Sequence, residues 1–257
     1  MLTIYFSATG NSRHIAERFS KKMGALCLSI EAELDFAAMF SAHDTIAVCY
    51  PIYGSRVPMI MRQFAQRHMD AFAGKKLIIF ATQLIFSGDG ARAFTDLFPP
   101  GHVEVIYAAH FLMPNNVCNL FFLWQTRGRR TRGMLAAAEK KLTRVCADIK
   151  AGRVKKTGFS RFAKFLGSLQ GKTWPRVEEK AKGDVRIHSG CNACGLCVQI
   201  CPMKNLNSQD GGITHNGNCT VCYRCLNACP KRAITVLFHA KPKWQYRGLA
   251  EKIGDKL

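Results

Sequence analysis

Acidic residues are scarce in this 257-residue chain: 17 Asp and Glu stand against 37 Lys and Arg, a formal net charge of +20. Long apolar runs are missing as well. The longest in the middle, Val117–Trp124, is interrupted by Asn119 and falls far short of the roughly 20 residues that span a bilayer. Met1 leads straight into Leu2-Thr3-Ile4-Tyr5-Phe6 without a basic stretch before it, so no secretory signal is expected there and the expectation is a soluble, cytoplasmic protein. The positive charge is not accompanied by a recognisable nucleic-acid-binding module, and nucleic acid is not an expected partner.

The charge is unevenly placed. Residues 1–126 carry 10 basic and 9 acidic side chains, residues 127–182 carry 17 and 4, and the remainder 10 and 4. One central segment therefore holds most of the excess. Such a face suits an acidic partner protein, or a solvated charge run; Val117–Trp124 beside Arg127-Gly128-Arg129-Arg130 also suits attachment to a membrane surface. What the chain has in quantity is cysteine: 12, with eight between Cys191 and Cys229. In a cytosolic chain such clustering reads as metal ligation rather than disulfides. The scattered Cys27, Cys49, Cys118 and Cys146 lie in apolar contexts and read as core residues.

Hydrophobic periodicity divides the chain. Apolar runs at 2–6, 25–30, 45–50, 77–82 and 103–112 alternate with helical patterns at 12–23 (Ile15, Phe19 and Met23 on one face), 59–69, 91–98 and 132–150. Alternating strands and helices indicate an α/β domain with a parallel sheet covered on both faces, over residues 1–151. Residues 152–183, basic and glycine-bearing with spaced aromatics, read as a linker with at most one short helix. Residues 184–240 form a small α+β domain with strand-like pieces at 212–214 and 233–236. Residues 241–257 are a tail, with a terminal helix expected from Trp244 onward.

Within the small domain one pattern occurs twice, C-x2-C-x2-C-x3-C-P: Cys191, Cys194, Cys197, Cys201, Pro202, then Cys219, Cys222, Cys225, Cys229, Pro230. Paired C-x2-C motifs also suit tetrahedral zinc, but zinc does not require a third cysteine at the same spacing in both copies. The doubled run predicts two [4Fe–4S] clusters, the fourth cysteine of each run ligating the other cluster. Cys191, Cys194, Cys197 and Cys229 should hold the first, and Cys219, Cys222, Cys225 and Cys201 the second. The region resembles the two-cluster bacterial ferredoxins.

The other motif lies between the first strand and first helix: Phe6-Ser7-Ala8-Thr9-Gly10-Asn11-Ser12-Arg13. Hydroxyls and backbone N–H groups at a helix start form an anion site. The loop resembles the phosphate loop of flavodoxins, which implies that Ser7, Thr9, Gly10, Asn11 and Ser12 hold the phosphate of FMN. By the same resemblance Pro51-Ile52-Tyr53-Gly54 lies against the flavin ring, with Tyr53 stacking and Gly54 supplying a flexible peptide. The stretch 82–90, with Thr82, Gln83, Ser87, Gly88, Asp89 and Gly90, forms the other wall. All three loops follow strands of a parallel sheet, where open α/β folds bind ligands. Met113-Pro114-Asn115-Asn116 resembles a recurring motif of the flavodoxin–ferredoxin fusion proteins of anaerobic prokaryotes, which places Asn115 and Asn116 near the flavin. That resemblance implies a flavodoxin-like sheet in the order 2-1-3-4-5.

Two nucleotide motifs are set aside. Gly88-x-Gly90-x-x-Ala93 lacks both the first-strand position and an acidic residue about twenty positions on, and Gly171-Lys172-Thr173 lacks the preceding glycine-rich loop. Three functions compete: a carrier passing electrons between iron–sulfur and flavin centres, a flavin reductase of a small acceptor, and a binding module held together by clusters. The flavin loops disfavour the third. For the second no acid–base pair stands out; Tyr53, Asp89 and His110 are candidates, and His110, in an apolar strand, reads first as a core histidine.

Overall fold

The structure, a computed structural model, describes residues 1–120 and 123–248. The chain divides into two compact units. The first comprises Met1–Ser7, Asn11–Pro114 and Gly128–Trp174; the second comprises Ala8–Gly10, Asn115–Arg127 and the described residues from Pro175 onward.

In the first unit, β1 (Leu2–Tyr5), β2 (Leu26–Ser29), β3 (Thr45–Pro51), β4 (Lys76–Gln83) and β5 (Glu104–Leu112) pair in parallel in the order β2-β1-β3-β4-β5, as expected. A two-residue strand, β6 (Lys155–Lys156), continues the sheet beyond β5. Ile46 to Tyr50 and Leu77 to Ala81 are buried without alternation, because helices cover both faces of these central strands.

Helices α1 (Asn11–Met23), α2 (Phe36–Ser41), α3 (Met59–Arg67), α4 (Arg92–Thr95) and α5 (Gly128–Lys150) supply that cover. Helix α1 buries Ile15, Ala16 and Phe19, and Lys21 and Lys22 in its last turn complement the helix dipole. Asp35 caps α2 by accepting from the Ala38 N–H at 3.0 Å. Helix α4 is shorter than the expected 91–98. Its chain tightens into i→i+3 turns at Leu97 and Phe98 and then meets Pro99-Pro100, which disfavours helical backbone before it. Two aromatic groups fill the core. Phe19, Phe80 and Phe111 meet edge to face at 4.8 and 5.5 Å, while Phe40 and Phe72 meet at 4.7 Å beside Phe36, Phe64 and Phe94.

The basic segment departs from expectation. In place of a linker with at most one short helix it forms two helices, α6 (Arg161–Gly171) and α7 (Trp174–Gly183), and through Trp174 it belongs to the first unit. Ser160 caps α6, accepting from the Ala163 N–H at 3.1 Å. The apolar pattern does not mark this helix, because its inward residues are small. Gly167 and Gly171 are buried, whereas Phe162, Phe165 and Leu169 are 70%, 57% and 58% exposed; its apolar periodicity points to solvent.

The second unit pairs β7 (Val185–Ile187) with β10 (Ile234–Val236) and β8 (Leu206–Gln209) with β9 (Gly212–His215), both antiparallel. Asp210 and Gly211 both take positive φ, 49° and 72°, and close the β8–β9 hairpin. Helices α8 (Leu196–Gln199) and α9 (Arg224–Ala228) complete it. Leu206, Ile213, Leu226, Ile234 and Val236 share a core with Cys118, Trp244 and Tyr246. Residues 244–248 carry no helix; the rest of the expected tail helix lies outside the described residues, as do positions 121 and 122 of the Val117–Trp124 run. Cys118 and Asn119 of that run are buried, so this part of it is not an open surface for a membrane. No helix among the described residues is long and apolar enough to cross one.

Candidate cofactor sites

The cysteine repeat folds as a structural repeat. Ala193 and Val221, two residues after the first cysteine of each run, take φ of 51° and 57° and aim their N–H groups at Cys191 Sγ (3.4 Å) and Cys219 Sγ (3.5 Å). Asn205 and Ala233, four residues after the last cysteine of each run, donate to Cys201 Sγ and Cys229 Sγ, both at 3.3 Å. Left-handed backbone at non-glycine positions costs on the order of 1–3 kcal/mol each. Here it turns peptide N–H groups toward sulfur, the arrangement that stabilises thiolate.

The thiols sort into two sets. Burial pushes the Cys197 thiol up to about 11, and its neighbouring thiols Cys229, Cys191 and Cys194 add to the effect. Cys201, Cys219, Cys222 and Cys225 border one small pocket, whose walls include Val185, Leu206 and Leu226. Burial raises Cys219 to about 11 and Cys222 to about 12. Metal ligation needs the thiolate. A donor set of thiols alone, mostly half-buried with Cys222 buried and Cys194 exposed, and supplied with N–H donors, fits iron–sulfur ligation: a cationic iron core offsets the cost of holding the anions away from water. Among the described residues no three His, Cys, Asp or Glu side chains converge on a single metal ion.

In the first unit the loop after β1 enters α1 through Gly10, at φ 93°, a conformation that favours glycine. Asn11 Nδ2 donates to the Pro114 carbonyl at 2.8 Å and fixes the helix start against the end of β5. Ser12 is not open: it is 1% exposed, and its hydroxyl lies 2.7 Å from Thr82 Oγ1. Thr82, expected in the ring wall, is likewise buried.

After β3, Tyr53 and Arg56 exchange backbone hydrogen bonds at 3.1 and 2.9 Å around Gly54 (φ 53°) and Ser55 (φ 59°), a type I′ turn. Tyr53 is buried, its ring 6.4 Å from that of Trp174 and inclined at 44°. The Ile52 N–H donates to the Thr82 carbonyl at 2.9 Å. A Cβ on Gly90 would stand 2.8 Å from Ile52 Cδ1, so the two loops expected beside the ring touch there.

The loop after β4 is braced from within. Ser87 donates to Gln83 Oε1, and the Ala91 N–H donates to His110 Nε2 at 3.1 Å. Burial, and then Lys141, hold His110 down to about 4, so the ring is neutral near pH 7. With Nε2 accepting, the proton sits on Nδ1, 3.4 Å from Ser87 Oγ. His110 is thus a positioning residue for 87–91. Burial raises the Asp89 carboxyl. Asn115 and Asn116 fall in the second unit. Asn115 is spent on its own loop, bonding Thr126, Trp124 and Val117, and the Asn116 carbonyl accepts from Asn227 at 2.8 Å.

Two family models match the chain. One described as a flavodoxin domain covers residues 2–116, and one described as a 4Fe-4S dicluster domain covers residues 190–234. No match to a curated protein sequence was found. Among solved structures, similarity extends to the two-electron reduced flavodoxin of Megasphaera elsdenii, at 19% identity over 58% of this chain and 99% of that one, TM-score 0.41. A flavodoxin from the domain Archaea shares 12% identity over 58% and 97%, TM-score 0.40. Oxidised flavodoxin 2 from Bacillus cereus shares 14% over 56% and 97%, TM-score 0.36.

Proposed function

The chain is a flavodoxin–ferredoxin fusion, a protein of flavin- and iron–sulfur-based electron transfer, and we propose that it is a carrier passing electrons between two [4Fe–4S] clusters and one FMN. Iron–sulfur clusters exchange single electrons and a flavin accepts one or two, so joining them in one polypeptide allows conversion between the two modes.

The observation that carries the reading is the sorting of eight thiols into two sets: Cys197 with Cys191, Cys194 and Cys229, and Cys201, Cys219, Cys222 and Cys225 around one cavity. Each set combines three cysteines of one run with the fourth of the other. In this reading each set ligates one cluster, and the N–H donors at Ala193, Val221, Asn205 and Ala233 stabilise charge on sulfur. The N-terminus of α1, with Ser7, Thr9, Gly10 and Asn11, receives the FMN phosphate. Pro51–Gly54 and Thr82–Gly90 flank the ring, with His110 and Thr82 holding the second loop in shape. The site lies in a cytoplasmic protein.

The partner we assign is an acidic redox protein. Its docking surface is the outward face of α6, where exposed Phe162, Phe165 and Leu169 are flanked by exposed Arg161, Lys164 and Lys172. Charge steers the encounter and the apolar stripe supplies the contact.

Anaerobically purified protein should hold about eight iron and eight acid-labile sulfide per chain together with one non-covalent FMN. Zinc without sulfide overturns the cluster reading. Turnover of a small acceptor with no second protein replaces the carrier with a reductase.

A further inference from the structure

Residues 155–174, basic and remote in sequence from the flavin loops, are laid along both of them. The Thr157 N–H donates to the Ala108 carbonyl at 3.0 Å, and Gly158 packs on the His110 imidazole. Helix α6 then crosses the 87–90 loop so closely that a Cβ at Gly88 or Gly167 would collide with the other segment. A Cβ on Gly88 would lie 2.4 Å from Gly167 N, and one on Gly167 would lie 1.7 Å from Asp89 Oδ1. At its far end Ser55 Oγ meets Gln170 Oε1 at 2.6 Å and Arg56 Nε donates to the Gly171 carbonyl at 3.3 Å. Trp174 closes the run over the Tyr53–Gly54 peptide: a Cβ on Gly54 would fall 2.4 and 2.5 Å from two indole carbons. One segment thus spans both loops expected to flank the ring, through contacts that only glycine permits.

Trp174 has a second property. Its indole Nε1 is buried and has no hydrogen-bond partner among the described residues. Indole N–H is a donor with no alternative role, and a buried unpaired donor is costly.

We propose that Trp174, held by α6, is the third wall of the flavin-ring site, with its indole face against the ring and its N–H available to one of the ring's acceptors. The inference rests on the flavin reading above. The isoalloxazine suits both properties: it is a flat aromatic surface for offset stacking, and its carbonyl oxygens and ring nitrogens accept hydrogen bonds. The segment read from sequence as a linker is then part of the cofactor site, and its outward face is the surface a partner meets on approaching the flavin.

The test uses the full chain, freed of flavin and titrated with FMN. Binding is followed by flavin fluorescence, and the bound ring's exposure by iodide quenching. Trp174→Ala should weaken FMN binding at least fivefold and make the bound flavin accessible to iodide. Trp174→Phe should restore protection from iodide but not the full affinity. Gly167→Val, which collides with Asp89 and lifts α6 without altering the indole, should expose the flavin as Trp174→Ala does; circular dichroism melts of all variants check that the fold is kept. If wild type binds FMN while all three variants match it in affinity and quenching, Trp174 is not a wall although the flavin site stands. Tighter binding by Trp174→Ala would show that the indole competes for the ring's place and overturns the proposal. If wild type takes up no FMN, the flavin reading falls and this inference with it.

Discussion

Ser12 Oγ and Thr82 Oγ1 lie 2.7 Å apart, both buried, seventy residues apart in sequence. The pair ties the first turn of α1 to the end of β4, so the expected phosphate loop and the expected ring wall share one hydrogen bond. In the proposed site, Ser12 and Thr82 would then act by positioning the two loops rather than by touching the flavin. Removing the Thr82 hydroxyl leaves Ser12 Oγ buried without its partner, and removing that of Ser12 leaves Thr82 Oγ1 only a long 3.5 Å hydrogen bond to the Tyr50 carbonyl, at a cost of about 1–3 kcal/mol. Ser12→Ala and Thr82→Val should each lower stability by that order in urea unfolding. The double variant should lose clearly less than the sum of the singles, because the second change removes the orphaned partner. Strict additivity would mean that the two hydroxyls do not depend on each other.

Thr9 is the better probe of the proposed phosphate site, because its hydroxyl is not tied up in the way those of Ser12 and Thr82 are. Thr9→Ala should weaken FMN binding about tenfold, the equivalent of one charge-assisted hydrogen bond at roughly 1.5 kcal/mol. The effect should be smaller for riboflavin, which lacks the phosphate. Equal losses for FMN and riboflavin would move the phosphate elsewhere.

His110 gives stability a pH dependence of definite sign. Its folded pKa is lowered to about 4 from an ordinary 6.5, so between these values the unfolded chain binds a proton that the folded chain refuses. Stability is therefore unaffected above about pH 6.5 and falls as pH drops toward 4, by on the order of 3 kcal/mol in total. Protonation also removes the acceptor from the Ala91 N–H. His110→Gln should flatten this step in denaturant unfolding between pH 7 and 4. A step of the same height in that variant would assign it to the carboxylates.

How much of this was legible in the sequence depends on which side chains carried the signal. The sheet order and the cysteine repeat were legible because bulky apolar strands and fixed thiol spacings each have few structural solutions. The turn from β1 into α1 was legible from the strand, glycine and helix start around Gly10. The buried state of Ser12 was not, since a hydroxyl reads the same whether it faces a ligand or Thr82. Helix α6 was missed because Gly167 and Gly171 face inward and Phe162, Phe165 and Leu169 face out, reversing the usual meaning of apolar periodicity. Trp174 gave a faint signal, an isolated aromatic after a glycine-bearing helix, which gained meaning only once Gly54 was seen beneath it. Asn115 and Asn116 carried a motif, but Asn115 serves its own loop and Asn116 the second unit.

Cluster ligation can be separated set by set. Cys201→Ala should damage the cluster of Cys219, Cys222 and Cys225 and spare that of Cys191, Cys194 and Cys197, although Cys201 neighbours the latter in sequence. Reduced-state electron paramagnetic resonance should change from a coupled two-cluster signal to that of one cluster, with iron falling from about eight toward four. Loss of the signal belonging to its own run would reverse the assignment.

Electron passage within the chain, as proposed above, is what covalent linkage leads one to expect. Two cofactor-bearing units in one polypeptide present each other at a high effective concentration, independent of protein dilution. A truncation to residues 1–150 is a poor control, because the first unit extends through Trp174 and would lose the strand and helix that cover its loops. The informative control is the full chain with Cys191, Cys194, Cys219 and Cys222 replaced by alanine, which leaves α6 and Trp174 in place. Under anaerobic stopped flow, a one-electron donor should reduce the clusters of the intact chain first. The flavin should follow at a rate independent of protein concentration and faster than in the variant without clusters. With an acidic protein donor, rising ionic strength should slow the bimolecular step and leave the internal step unchanged, because charge steers encounter and not transfer inside one chain. Equal flavin reduction rates with and without clusters would refute internal transfer, and an encounter rate insensitive to salt would remove the basic face of α6 from docking.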